Sequence, residues 1–404
     1  MRNRVILAAG RRSPRPWAAA LTVWVLSVLT VATGCATSGS TSTTASGVAL
    51  SDSWDLEQAY LIGPSLARQL GLRIDLQTRT HPEGHSGIKL LSIQNDAVFV
   101  LDGLNFLSRL RRTDLQRLWR LPVAGPVDDI QGITYRPGIE RVFLMADSNL
   151  LVLDNDTGSM IDKQKFDHIA NTAPVVFGSF FIYGARNGQV VWHSYEIGHQ
   201  WRAYQVSPTM RVKPILIGEM VIATGSDGRI MVLDAPSAAG IWDKRLLNEV
   251  VTEPTTGQGL LYVAGTDQYL WAIELGTGRT SWKYLAERPL VSSPVLINRQ
   301  LYQQIPGQGL VCFDAYPVDS PGGEILWTAS QVHGNVIGRV GPRLFVWNAG
   351  ERRLKIVEVA RGGVIDTADL PQVRHLFMDS PTGEIFAASD DGRVIRLVVR
   401  SSAP

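Results

Sequence analysis

Cysteine is nearly absent: the 404 residues contain two, Cys35 and Cys312, and no adjacent pair. If Cys35 is modified, no intramolecular disulfide can form, and stability has then to come from a buried core, which a chain of this length can build. Histidine is also sparse, with seven residues scattered and no recurring partner. Neither a Gly-x-Ser-x-Gly elbow nor a His-Glu-x-x-His pair occurs, so the linear marks of a serine hydrolase or a zinc protease are missing. Charge of either sign is not in excess, at 39 basic against 37 acidic residues. Five of the basic residues lie in the first 34 positions, together with no acidic one. Without that segment the balance is 34 to 37, about −3, which leaves no electrostatic footprint for nucleic acid.

Those first residues read as an export signal. Arg2, Arg4, Arg11, Arg12 and Arg15 precede an apolar run from Trp17 to about Ala32, and small residues follow. The Arg11-Arg12 pair is followed by Ser13-Pro14-Arg15 rather than apolar residues, which speaks against twin-arginine export. Val31-Ala-Thr-Gly34-Cys35 resembles a bacterial lipobox, and the resemblance implies cleavage before Cys35 and acylation of its sulfur. An uncleaved membrane anchor is the alternative, although the apolar run is barely long enough to span. Residues 35–52 are rich in Ser and Thr and suit a flexible tether. The expected organisation is thus a signal peptide over 1–34, a tether over 35–52 and a folded domain over 53–404.

The domain is repetitive. Met220-Val-Ile-Ala-Thr, Gly225-Ser-Asp-Gly228, Arg229-Ile-Met-Val-Leu-Asp234 and Trp242 recur forty residues later. The second copy is Leu260-Leu-Tyr-Val-Ala264, Gly265-Thr-Asp-Gln268, Tyr269-Leu-Trp-Ala-Ile-Glu274 and Trp282. Each unit is a set of short β-branched runs broken by Gly, Asp and Ser, which predicts a four-stranded antiparallel meander. Strand-only repeats of this period predict a β-propeller. Acidic residues closing the third strand mark the units at Asp154, Asp234, Glu274, Asp314 and Glu358, with Ser194 in the place of one more.

Eight blades are counted, and the last ends with the chain, one strand short. Leu72–Arg79 is an orphan strand-like run and is expected to complete that blade and close the ring. Trp119, Trp201, Trp242, Trp282 and Trp327 close their units and are expected to wedge between blades, with Gly278 in the turn before Trp282. Cys312 falls at the place of Val232 and Ala272, which predicts a buried apolar role.

Three stretches contain ligand-type residues. His81-Pro-Glu83-Gly-His85 has no third or fourth metal ligand and reads as a solvated loop. Asp154-Asn-Asp156-Thr-Gly158 lacks the closing Glu of a calcium loop and reads as a hairpin turn. Gly225–Gly228 and Ser389-Asp-Asp-Gly392 open no helix and so make no phosphate loop.

The stretch Trp271-Ala272-Ile-Glu274-Leu-Gly-Thr277-Gly278-Arg-Thr-Ser-Trp282 resembles the repeat of the quinoprotein (PQQ-type) β-propellers. The likeness extends over roughly residues 70–400 and implies the fold. One branch comprises quinoprotein dehydrogenases, which hold PQQ and calcium and usually carry a vicinal disulfide that this chain cannot make. The other is the lipoprotein subunit of the outer-membrane β-barrel assembly machinery, a non-catalytic eight-bladed propeller. Length, lipobox and blade count resemble the second branch. That implies a monomeric, lipid-anchored protein scaffold without cofactor or metal, facing the periplasm from the outer membrane, with barrel-assembly components as partners. Ala36 rather than Asp after Cys35 favours the outer membrane by analogy. A PQQ/calcium dehydrogenase and a surface polysaccharide-binding propeller are the alternatives.

Overall fold

The computed structural model describes residues 57–81 and 87–400. The chain divides into Met1–Val48 and Ala49–Pro404, and every described residue belongs to the second unit. The signal segment, Cys35, the tether, Glu83 and His85 lie outside the described residues. Among those described, no helix is long and apolar enough to cross a membrane.

Eight four-stranded antiparallel sheets make an eight-bladed propeller. Seven use consecutive strands. The eighth runs Val373–Asp379, Glu384–Ser389, Arg393–Val399 and then, outermost, Leu72–Arg79. The N-terminal strand therefore closes the ring on the last blade, pairing Leu72 with Val399 and Arg79 with Arg393. A short helix, Pro64–Gln69, precedes it.

The third strands explain why the repeat is so apolar. In Arg229–Asp234, residues 230 to 233 are all buried. Met231 and Leu233 pack against blade three, while Ile230 and Val232 pack against blade five. A strand covered on both faces reads as a continuous apolar run. Eight hydrophobic clusters result, one at each junction between neighbouring blades.

The markers act through their carboxylates and through the carbonyl that follows. Asp154 Oδ1 accepts from Thr157 N at 3.0 Å and Thr157 Oγ1 at 2.9 Å, which fixes the third-to-fourth turn. Those bonds hold the Asp154 carboxyl below its usual range. The residue after each marker turns its carbonyl toward the preceding blade, and a buried carbonyl needs a donor. Trp119 Nε1 donates to Asn155 O at 2.8 Å and Trp242 Nε1 to Leu275 O at 2.7 Å. Trp282 Nε1 reaches Ala315 O at 3.2 Å, and Trp327 Nε1 reaches Val359 O at 2.9 Å.

Blade three departs from the single tryptophan position read from the sequence. Trp201 is 37% exposed, lies 4.9 Å from Phe180, and carries the Arg202 guanidinium 5.0 Å from its ring centre. The carbonyl of Ala235 is served instead by Trp192 Nε1, at 3.0 Å, from the third strand. Register gives the reason. Val232, Ala272 and Cys312 pair across the ladder with Trp242, Trp282 and Trp327, whereas Trp192 pairs with Arg202. The indole has crossed from the outer strand to the third, and Trp201 occupies the bulge one residue early.

A second difference agrees with this. Gly158, Gly278 and Gly362 have φ of 70°, 73° and 75°, and a Cβ there would stand 2.5 to 2.8 Å from the indole of the preceding blade. The equivalent residue before blade three's absent indole is Ala238, at φ 56°, whose methyl fills that space. Gly278→Ala is accordingly expected to cost about 1–3 kcal/mol through overpacking on Trp242 and left-handed strain. Chemical denaturation measures it, and an unchanged midpoint would contradict the docking account.

Outer strands also share a defect. In blades one to seven the bulge leaves one residue unpaired, namely Leu118, Ile161, Trp201, Ile241, Ser281, Leu326 and Ile365. Bulges twist an edge away from incoming strands, so the rim is protected against indiscriminate pairing.

Candidate protein-docking face

A meander that starts at the axis and ends at the rim sorts its loops. Connections to the next blade and second-to-third turns lie on one face, and the remaining turns lie on the other. Exposed large apolar side chains in loops concentrate on the first face: Leu104, Val127, Ile169, Leu247, Val251 and Val291. On the opposite face stand Ile139, Ile197 and Val318. Leu247 is 85% and Val291 60% exposed, and Val251 and Val291 hold equivalent places in consecutive connections. Leu285 ends the outer strand of blade five on the same side.

These loops are locked in place. Ser226 N donates to Thr209 O at 3.2 Å, Arg186 N to Ile169 O at 2.9 Å and Thr266 N to Glu249 O at 3.0 Å. The second-to-third turns of blades three to five thus hold the connection arriving from the blade before. In blade six Pro306 takes that place, and the connection bearing Val291 is held instead by Leu290 N to Gly265 O at 3.2 Å and Gln303 Nε2 to Ser292 O at 2.9 Å. Around the apolar residues stand the ion pairs Arg211–Glu249 at 3.3 Å and Arg245–Asp227 at 3.1 Å. An apolar centre with a charged rim on rigid backbone is the anatomy of a protein interface, and rigidity reduces the ordering cost of binding. None of these residues carries a linear motif, so the sequence offers no sign of them beyond an apolar residue in a loop.

The axial funnel has a volume of ≈ 550 Å³ and is lined by Gln94, Ile133, Ala173, Val175, Lys213 and Glu253 among others. The Gln94 amide is satisfied at both ends, donating to Ile133 O and accepting from Tyr135 N, each at 2.7 Å. No buried polar atom left without a partner lies on this lining, and no group of three or more potential metal ligands occurs among the described residues. One carboxylate, one ammonium, one hydroxyl and an amide already engaged, on otherwise aliphatic walls without an aromatic ring, do not fit a quinone held by calcium.

The other residues singled out by sequence are spread apart. Cys312 is buried, and burial pushes its thiol up to about 12, which leaves it unreactive. His81 is not in a solvated loop: it is 2% exposed and packs on Gly392, where a Cβ would meet its ring at 2.8 Å. Asp391 and Gly392 sit in the second-to-third turn of blade eight.

His193 was not singled out. It is buried, T-stacked on Phe166 at 4.9 Å, and donates from Nε2 to Gln164 Oε1 at 2.9 Å. Burial lowers it to about 4. Its folded value lies below the unfolded one near 6.5, so the stability it contributes is full above about pH 6.5 and falls toward pH 4. His193→Gln should flatten that part of a stability-versus-pH curve. An identical slope in the variant would remove His193 as the cause.

A sequence profile described as "Outer membrane protein assembly factor BamB" matches residues 177–403, more than half of the chain. The chain belongs to the BamB family. Among solved structures, BamB from Moraxella catarrhalis shares the propeller at 18% identity and a TM-score of 0.65. That alignment covers 82% of this chain and 99% of the other. The computationally designed Ika8 protein also aligns, at 13% identity and a TM-score of 0.63, over 79% of this chain and 98% of its own. No curated protein matches the sequence.

Proposed function

We propose that the protein is a lipid-anchored, non-catalytic scaffold on the periplasmic side of the outer membrane that serves barrel assembly by docking partner proteins. The observation that carries this reading is the locked loop face with its exposed Leu247, Val251 and Val291, in a chain of the BamB family. Cleavage before Cys35 and acylation of its sulfur supply the anchor, since several acyl chains at one cysteine hold a protein stably on a membrane. Residues 35–52 are the tether, and the propeller works as a monomer. The mechanism is display: a ring braced at every junction presents preformed loops, and no bond is made or broken.

The test combines two variants. Cys35→Ala should abolish labelling by a fatty-acid probe and move the protein to the soluble fraction. Leu247→Asp with Val291→Asp should keep the fold and the anchor, yet reduce recovery of barrel-assembly components in affinity capture at least ten-fold. Undiminished recovery would move the interface elsewhere. Recovery of electron carriers with dye reduction on adding PQQ and calcium would overturn the scaffold reading.

A further inference from the structure

Where blades four and five meet at the rim, two ammonium groups converge on an aromatic shelf. Lys244 comes from the outer strand Gly240–Arg245 and Lys283 from the outer strand Thr280–Leu285. Tyr269 and Trp271 stand on one side of the third strand of blade five, ring centres 5.2 Å apart. Lys283 Nζ lies 4.6 Å from the Tyr269 centre and 5.0 Å from that of Trp271, and Lys244 Nζ lies 5.8 Å from Trp271.

Packing does not require this indole, because Leu151, Val191, Met231 and Val311 hold the same place in other blades. Asp267 orients it, accepting the Trp271 N–H at 3.1 Å. Lys244 Nζ donates to neutral oxygens, Gly278 O at 3.2 Å and Thr280 Oγ1 at 2.9 Å. Neither ammonium has a carboxylate partner within 4 Å among the described residues, where every ion pair is made by arginine. Burial, and then the charge on Lys283, hold Lys244 below its usual range. An anion between the two would relieve that repulsion.

We propose that Lys244, Lys283 and Thr280, above the Tyr269–Trp271 shelf, form a binding notch for a phosphate group, carried by a lipid headgroup or by a soluble phosphorylated molecule. Ammonium groups are compact point charges suited to phosphate, whereas a planar carboxylate is best gripped by the fork of arginine. The Thr280 hydroxyl adds a neutral donor beside Lys244. The notch is on the rim, apart from the loop face, and its presence does not depend on the scaffold reading.

The test uses the full chain in the Cys35→Ala background, so that no acyl group contributes. One arm titrates inorganic phosphate at constant ionic strength, with chloride as the reference, by calorimetry. The other measures flotation with vesicles of phosphatidylcholine, with and without phosphatidylglycerol. The expected result is saturable binding in at least one arm, weakened ten-fold or more by Lys244→Met with Lys283→Met. Lys283→Met alone, which removes no hydrogen bond of the fold, should weaken it several-fold. Lys163→Met should change nothing: Lys163 holds the register place of Lys283 in blade two, opposite Leu151 rather than an indole. Binding in the phosphate arm assigns a soluble ligand, and binding in the vesicle arm alone assigns a headgroup. Absence of saturable binding in both arms overturns the proposal, as does a response that survives the double variant.

Discussion

Truncation of Trp282 to alanine is expected to lower stability by about 3–5 kcal/mol, and truncation of Trp201 by less than about 1 kcal/mol. Both tryptophans close a repeat, one residue apart in their distance from the third strand's end. Trp282 is 2% exposed, stacked on Phe313 at 6.0 Å and tilted against Tyr262 at 5.9 Å. Its removal leaves a cavity between blades five and six that rigid sheets cannot close. The carbonyl of Ala315 keeps a donor, because Tyr262 Oη also reaches it at 2.7 Å. The cost is therefore one of lost packing rather than of an orphaned acceptor. Trp201 fills nothing of the kind, since Trp192 serves its junction. Denaturant midpoints of the two variants check the difference, and equal losses would refute the division of roles.

Much of the architecture was legible because it depends on features a linear string records. A strand buried on both faces must be a run such as Ile230-Met-Val-Leu233, and a turn capped by Asp154 or Glu274 must be short and end in glycine. The closing strand was legible by subtraction, since blade eight lacked a strand and Leu72–Arg79 had no other partner. What the sequence hid were choices among equivalent solutions to one physical demand. The carbonyl after each marker needs a donor, and a tryptophan on the outer strand is one of several. At the junction of blades two and three, Gln164 Nε2 donates to Tyr195 O at 2.7 Å. Between blades three and four it is Trp192, and between blades eight and one it is Arg396, to Arg112 O.

A spacing check would have caught Trp201. Trp242 and Trp282 stand eight residues after Asp234 and Glu274, whereas Trp201 stands seven after Ser194. The loop face was illegible for a different reason. Leu247 and Val291 follow the buried Leu246 and Leu290, so each reads in the sequence as half of an apolar pair, and only the ring shows which half faces solvent.

The other large effect is expected at the seam, where the chain's two ends meet. Arg396 is 8% exposed and donates from Nε and Nη2 to Asp75 Oδ2, at 2.8 and 2.5 Å, and from Nη2 to Thr113 O at 3.1 Å. Beside it Arg112 Nη2 bonds Asp379 Oδ2 and Glu384 Oε2, both at 2.5 Å. One buried guanidinium thus ties the closing strand to the last blade and the last blade to the first. Asp75→Ala leaves that buried charge with Glu384 Oε1 alone, at 3.5 Å on a carboxylate already engaged by Arg112, and the expected loss is about 3 kcal/mol. Arg396→Met with Asp75→Ala removes both charges and should lose less than the two single changes added together, because the poorly compensated charge is gone. Hydrogen exchange locates the effect: amides of Leu72–Arg79 and Arg393–Val399 should exchange faster in Asp75→Ala while those of blades three to six do not. Deleting residues 70–80 carries this further, since the strand Arg393–Val399 then becomes an open edge, and both thermal stability and solubility should collapse. Acid acts on the same clasp. Burial opposes the charge on Asp379, yet the bonds from Arg112 and Thr382 hold its carboxyl below the usual range, so its contribution is present above about pH 4 and is lost as pH falls further. If the truncated chain melts like the intact one, the closing strand bears no part of the ring's stability.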